Sequence, residues 1–290
     1  MDDSAFEEAL ERIRTDRARG AAQLARDCLG VAAESALRAE AASPEALCAL
    51  LQERADRLAG SRPSMAPVRN LLERWREALG EACDAPLGEA RAAAAQGARA
   101  LIDASRAAAQ EAAGHLARHL GGGRRLITHS LSSTVMAALE RLAPLGVEVI
   151  VSESRPLNEG WQCAERLGAL GVSATLITDA QTGLFTAGAD AAVVGADSLL
   201  PDGALVNKSG TYLLALAARD NGVPFYVCCE SFKRRPAGMP DPQLETMAPG
   251  ELGVPPMEGV EVENVYFDVT PARLIGAWFD EHGMEPGPAG

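Results

Sequence analysis

The sequence predicts two domains of different class, an all-helical one followed by an α/β one built on a parallel sheet. Two observations carry this. Residues 1 to about 120 are rich in Ala, Leu, Arg and Glu, and their apolar positions recur at helical spacing: Phe6, Leu10 and Ile13, then Leu24, Cys28 and Leu29. From Arg125 onward, short runs of β-favouring residues alternate with helical segments, the pattern of parallel strands joined through helices on both faces of a sheet. Gly121-Gly122-Gly123 separates the halves, because helices end readily in residues that tolerate left-handed backbone, so the domains are drawn at 1–121 and 122–290.

The elements follow in order. Ser43-Pro44-Glu45 reads as an N-cap with a first-turn proline, and residues 60–64 break the chain before a helix at 68–79. A long Ala-rich helix spans about 87–119. Beyond the glycines, strands are expected at 126–128, 147–151, 174–177, 191–194 and 225–228, with helices near 132–142, 159–170 and 210–221. Thr270-Pro271 reads as the N-cap and first turn of a last helix. The second domain is thus Rossmann-like, and in such sheets ligands sit beyond the carboxyl ends of the strands.

Composition excludes several functions. Forty acidic against 27 basic residues give a net charge of −13, so the chain as a whole does not supply the phosphate attraction on which nucleic-acid binding draws. Six cysteines (Cys28, Cys48, Cys83, Cys163, Cys228, Cys229) form no C-x-x-C pair, a pattern of neither zinc nor disulfides, and reduced thiols in a cytoplasmic protein are expected. The N-terminus lacks signal-peptide character and no apolar run approaches a membrane span. No G-x-G-x-x-G follows the first strand and no G-x-x-x-x-G-K-[ST] occurs, so neither a nicotinamide nor a P-loop nucleotide is implied, and no cofactor is expected. His115 and His119 have metal-ligand spacing on one helix but no third ligand; they read as a solvated face, and no metal is expected.

Polar motifs gather where predicted strands end. Thr128-His129-Ser130-Leu131-Ser132-Ser133-Thr134 puts hydroxyls at a helix N-terminus, which suits an anion or simple capping. Arg155, in Glu153-Ser154-Arg155-Pro156, offers a two-pronged phosphate contact or a partner for Glu153. Asp197 follows Gly195-Ala196, whose small side chains would let a ligand approach the backbone, and its carboxylate could shuttle a proton or cap the next turn. Lys208 is one of only two lysines beside 25 arginines; a compact ammonium is a point donor where guanidinium is a planar fork. Arg19-Gly20-Ala21 and Arg62-Pro63-Ser64 are short basic loops between helices in the first domain.

Together these strings resemble the family that unites the alpha, beta and delta regulatory subunits of eukaryotic translation initiation factor 2B with methylthioribose-1-phosphate isomerase and ribose-1,5-bisphosphate isomerase. Its elements are R-G-A (Arg19 to Ala21), R-P-[ST] (Arg62 to Ser64), T-H-x (Thr128 to Ser130), E-S-R-P (Glu153 to Pro156), G-A-D (Gly195 to Asp197), N-K-x-G-T-Y (Asn207 to Tyr212) and F-D-V-T-P (Phe267 to Pro271), seven strings in the family's order over nearly the whole chain. The resemblance implies a phosphosugar pocket between the domains. Arg155 and Lys208 would hold phosphate with help from Arg19, Gly20, Ala21 and Arg62, while Asp197 and Asn207 face the sugar hydroxyls.

In the family's isomerases a cysteine follows the T-H pair and works with the G-A-D aspartate to move protons; here that position is Ser130. A thiol with a pKa of about 8.5 exchanges protons near neutrality far better than a serine hydroxyl does. The expectation is therefore an initiation-factor-2B-like protein that binds a sugar or nucleotide phosphate in a regulatory role, its isomerase activity lost. The alternative is an active aldose–ketose isomerase of a phosphorylated ribose, in which Asp197 with Ser130 or a bound water takes the place of the thiol. The resemblance further implies a homodimer formed through the α/β domain, and a translation-factor partner for the regulatory role.

Overall fold

The computed structural model describes residues 1–239 and 242–288, and it divides into two compact units, Met1–Ala107 and Ala108–Gly290. In the first, α1 (Asp3–Thr15), α2 (Ala21–Arg38), α3 (Pro44–Ala59) and α4 (Ala66–Ala82) are followed by α5 (Leu87–Leu120), whose last turns belong to the second unit. The helix starts are set by local chemistry: the Ala5 N–H donates to the Asp2 carboxylate at 2.8 Å, and Ser43 caps α3 ahead of Pro44. Phe6, Leu10, Ile13, Leu24, Cys28 and Leu29 are all buried, so the apolar spacing marks the core-facing stripes of α1 and α2. Trp75 is buried with them, its indole N–H donating to the Ala94 carbonyl at 2.8 Å.

One expectation fails here. Cys48 in α3 and Cys83 after α4 form a disulfide with a Cα–Cα distance of 6.1 Å. The pairing joins residues 35 apart, which only the antiparallel return of α4 against α3 brings within bonding range, so spacing along the chain could not display it. The remaining cysteines are buried thiols; burial pushes Cys28, Cys163 and Cys229 up to about 12 and Cys228 well above its ordinary value.

The second unit alternates as the sequence predicts: β1 (Arg125–Thr128), α6 (Ser133–Leu142), β2 (Glu148–Ser152), α7 (Glu159–Ala169), β3 (Ser173–Ile177), α8 (Thr182–Thr186) and β4 (Ala191–Val194). A hairpin of β5 (Ser198–Leu199) and β6 (Leu205–Lys208) leads to α9 (Thr211–Asp220) and β7 (Phe225–Cys228); β8 (Phe267–Thr270), β9 (Ala277–Asp280) and β10 (Gly283–Pro286) close the chain. The main sheet is seven-stranded in the order β10-β9-β7-β4-β1-β2-β3, parallel except for β10. Strand alternation sends Leu126, Val149, Val151, Ala191, Val193 and Cys228 to a core shared with the end of α5, α6 and α7. Ile127, Ile150, Ala192, Val194, Val227 and Cys229 point to the opposite core, which α9 covers.

A small antiparallel sheet, β5-β6-β8, is the element sequence reading does not supply. With it goes the expected last helix. Thr270 ends β8, and Pro271 opens only a single 3-10 turn at Ala272–Leu274, because the following Ala277, Trp278 and Phe279 pair with β7 and are buried as a strand. His115 departs from the solvated face expected of it and is half-buried, because α5 ends packed on this sheet. His119 is exposed as expected, with Nε2 3.2 Å from the Tyr226 hydroxyl and its ring edge-on to Tyr226. Among the described residues no group of three His, Cys, Asp or Glu is arranged to hold a metal, and no helix is long and apolar enough to cross a membrane.

Candidate functional site

Strand order creates a crevice at one place. The chain runs from β1 outward to β2 and β3, then returns to β4 on the other side of β1, so the loops leaving β1 and β4 part from each other. Beyond these carboxyl ends stand His129 to Ser132, Glu153 to Glu159, Asp179, Gly195 to Asp197 and Glu230 to Lys233.

His129 organises the floor. Nε2 lies 2.8 Å from the Ser209 carbonyl, which can only accept, so Nε2 carries the proton and Nδ1 accepts from the Ser152 hydroxyl at 2.6 Å. Burial holds its pKa below the ordinary value, with Lys208 acting in the same sense and Asp179 opposing, so the ring is neutral at neutral pH. Gly210 makes room for it: its φ is 107°, and a Cβ there would stand 2.8 Å from His129 Cε1.

Three non-glycine residues in the left-handed region, Ser130 (φ 65°), Ser154 (φ 61°) and Asn158 (φ 57°), lie in the loops after β1 and β2. Such backbone persists when its surroundings fix it, and it gathers at functional sites. The fixing contacts are visible: the Ser130 N–H donates to Ser154 Oγ at 2.7 Å, and the N–H groups of Ser154 and Arg155 each donate to the Asp179 carboxylate at 2.8 Å. Ser132 is the N-cap of α6. A Cβ on Gly195 would come within 2.4 Å of Ser132 Oγ, so this glycine admits a serine side chain rather than a ligand, contrary to expectation.

Asp197 is half-buried, and its N–H donates to the Val206 carbonyl at 2.9 Å, next to the Ser198–Val206 pair of the β5–β6 hairpin. Buried Asn207 donates from Nδ2 to the Thr211 hydroxyl at 3.0 Å. Lys208, the next residue, turns to the other face of β6. Its ammonium pairs with Glu159 and lies 4.3 Å from the centre of the Tyr266 ring. Arg155 is exposed, its guanidinium donating to the Leu252 carbonyl at 2.7 Å rather than to Glu153. Asp268, in the F-D-V-T-P string, accepts from the N–H groups of Gly210 and Tyr212 and so anchors the loop after Asn207 and Lys208.

Sequence reading missed a second buried cation. Lys233, the other lysine, donates to the Ala196 carbonyl at 2.6 Å and stands 3.6 Å from Glu230 Oε2. Burial works against its charge, but Glu230, Cys229 and Asp197 together hold its pKa above the ordinary lysine value. The signal was present as the i, i+3 spacing of Glu230 and Lys233 after a strand, but nothing in the sequence says that the pair is buried.

The remaining predicted residues belong to the Met1–Ala107 unit. Arg19 pairs with Asp16 and Asp27; Gly20 is the N-cap of α2 and Ala21 its buried first residue. Arg62 is buried, and its Nη1 donates to the Asp16 carbonyl at 3.0 Å. Asp16 thus brings the R-G-A and R-P-S strings together.

Known proteins share this fold and about a third of this sequence. The chain is 33% identical over 286 residues to the ribose 1,5-bisphosphate isomerase of Archaeoglobus fulgidus, covering 96% of this chain and 89% of that protein. A crystal structure of translation initiation factor eIF-2B from Pyrococcus horikoshii superposes with a TM-score of 0.84 at 31% identity, covering 98% of each chain. The 5-methylthioribose 1-phosphate isomerase of the same organism shares the fold, with a TM-score of 0.81 at 24% identity over 98% of this chain and 85% of that one. Residues 17–287 match the Initiation factor 2 subunit family, and the chain belongs to it.

Proposed function

We propose that the protein is an aldose–ketose isomerase acting on a phosphorylated ribose of the ribose 1,5-bisphosphate type. What carries this reading is the position of Asp197 just beyond the carboxyl end of β4, at the crevice where the loops after β1 and β4 part, in a chain 33% identical to a ribose 1,5-bisphosphate isomerase. That likeness weighs towards turnover, against the expectation that Ser130 signals its loss. In the reaction one hydrogen moves from C2 to C1, and one proton passes from the C2 hydroxyl to the ring oxygen as the ring opens. Asp197 alternates between carboxylate and acid in these transfers, with Ser130 as the nearby hydroxyl and Lys233 stabilising the charged carboxylate. Arg155 takes a phosphate at the exposed mouth, and Asn207 and Lys208 contact the sugar.

The test is turnover of ribose 1,5-bisphosphate and methylthioribose 1-phosphate, followed by phosphorus NMR. Asp197→Asn should lower kcat by about 10²–10⁴. Ser130→Ala should have a smaller effect, and Ser130→Cys should raise the rate. No turnover of either compound by the wild type would end this reading.

Ser130 itself favours a second reading, in which the site binds a sugar phosphate as a regulatory signal in a translation-factor complex; tight binding with no turnover, then activity appearing in Ser130→Cys, would support it. Either role belongs in the cytoplasm, where phosphorylated sugars are retained. We further propose a homodimer through the α/β unit, since α8 and α9 leave Leu184 and Leu213 73% and 64% exposed. Sedimentation that stays monomeric at micromolar concentration would refute it.

A further inference from the structure

Lys208 carries a charge that is already answered. Its ammonium is paired with Glu159 Oε1, and the two side chains keep only 9% and 13% of their surface exposed. The other carboxylate oxygen, Glu159 Oε2, is buried with no hydrogen-bond partner, and so is Asn158 Oδ1 beside it. Both belong to the turn entering α7, where Asn158 is held at φ 57°. A buried acceptor without a donor costs about 1–3 kcal/mol, and more when it is charged, so this turn lacks donors rather than cations.

A phosphate dianion brought to Lys208 would compete with Glu159 for the same ammonium and be repelled by the carboxylate. A sugar hydroxyl would not. It accepts from the ammonium and donates to Glu159 Oε2, satisfying that acceptor, with Asn158 Oδ1 open to a second hydroxyl. We infer that Glu159 is a specificity-determining residue: it converts Lys208 from a phosphate anchor into half of a neutral pair that reads hydroxyl groups, and it keeps phosphate out of this corner. Resting on the phosphosugar reading for its ligand class, the inference reassigns what Lys208 touches and gives a role to a glutamate that no motif pointed to.

Calorimetric titration of the full chain with inorganic phosphate and with ribose 5-phosphate tests it. Glu159→Gln keeps the shape but removes the competing charge, so inorganic phosphate should bind the variant more than fivefold tighter than wild type, and the preference for ribose 5-phosphate over inorganic phosphate should fall. Measurable phosphate binding by the variant where wild type gives none counts in favour. A gain of fivefold or less, or no phosphate binding by either protein, overturns the inference. So does a tenfold loss of inorganic phosphate affinity on Lys208→Met in otherwise wild-type protein. Circular dichroism checks folding, and Glu159→Ala is the substitute if the glutamine variant is unfolded. The readout is binding, so absence of isomerase turnover would sink the enzymatic reading without deciding this one.

Discussion

Asp268 ionises in a place that resists charge. Burial pushes its pKa up to about 6, although the N–H groups of Tyr212 and Gly210 favour the carboxylate. The folded value lies above the unfolded one, so between them the native state binds more protons, and stability present below pH 4 is lost as pH rises through about 6. Urea unfolding across pH 4 to 7 should show the wild type losing roughly 2–3 kcal/mol relative to Asp268→Asn over that window. Gly210→Ala tests the neighbouring contact: the φ of 107° and the approach to His129 should lower stability by about 2–4 kcal/mol in thermal or denaturant melts. Asp197 could be picked out from the sequence because it follows a strand expected at 191–194, Lys208 because it is one of two lysines beside 25 arginines, and Asn207 only through the N-K-x-G-T-Y string. Glu159 could not, since a first-turn glutamate is an ordinary helix start until Lys208 is seen beside it.

Helices α3 and α4 form a hairpin whose turn carries Arg62-Pro63-Ser64 and whose open end is closed by Cys48–Cys83. A ring of this size should stabilise the fold by about 3–4 kcal/mol through the restricted unfolded chain. Unfolding with and without a reductant, and of Cys48→Ser, should both report a loss of that order; equal stability in all three would mean that the bond constrains nothing. The main strands were legible because each is a short apolar run bounded by helical segments, whereas β5, β6 and β8 were not. Two of their residue pairs, Leu205 with Thr270 and Lys208 with Phe267, join positions some sixty residues apart, and β5 contains only two residues. Local pattern has no access to such pairing.

The chain as a whole bears a net charge of −13. Filter binding at physiological salt should accordingly show no retention of duplex DNA or RNA at protein concentrations up to about 100 μM; saturable retention would call for a basic surface that composition hides. At this scale the sequence was most informative, since the change from helical spacing to strand–helix alternation near Arg125 gives the class of both halves without any pairing being known. The disulfide has one more effect. Because it encircles residues 49–82, a protease cutting anywhere inside that ring leaves both fragments covalently tied. Nicked and intact molecules should therefore co-migrate on a denaturing gel run without thiol and separate into fragments only after reduction, so damage to the Arg62 turn stays invisible until the sulfurs are parted.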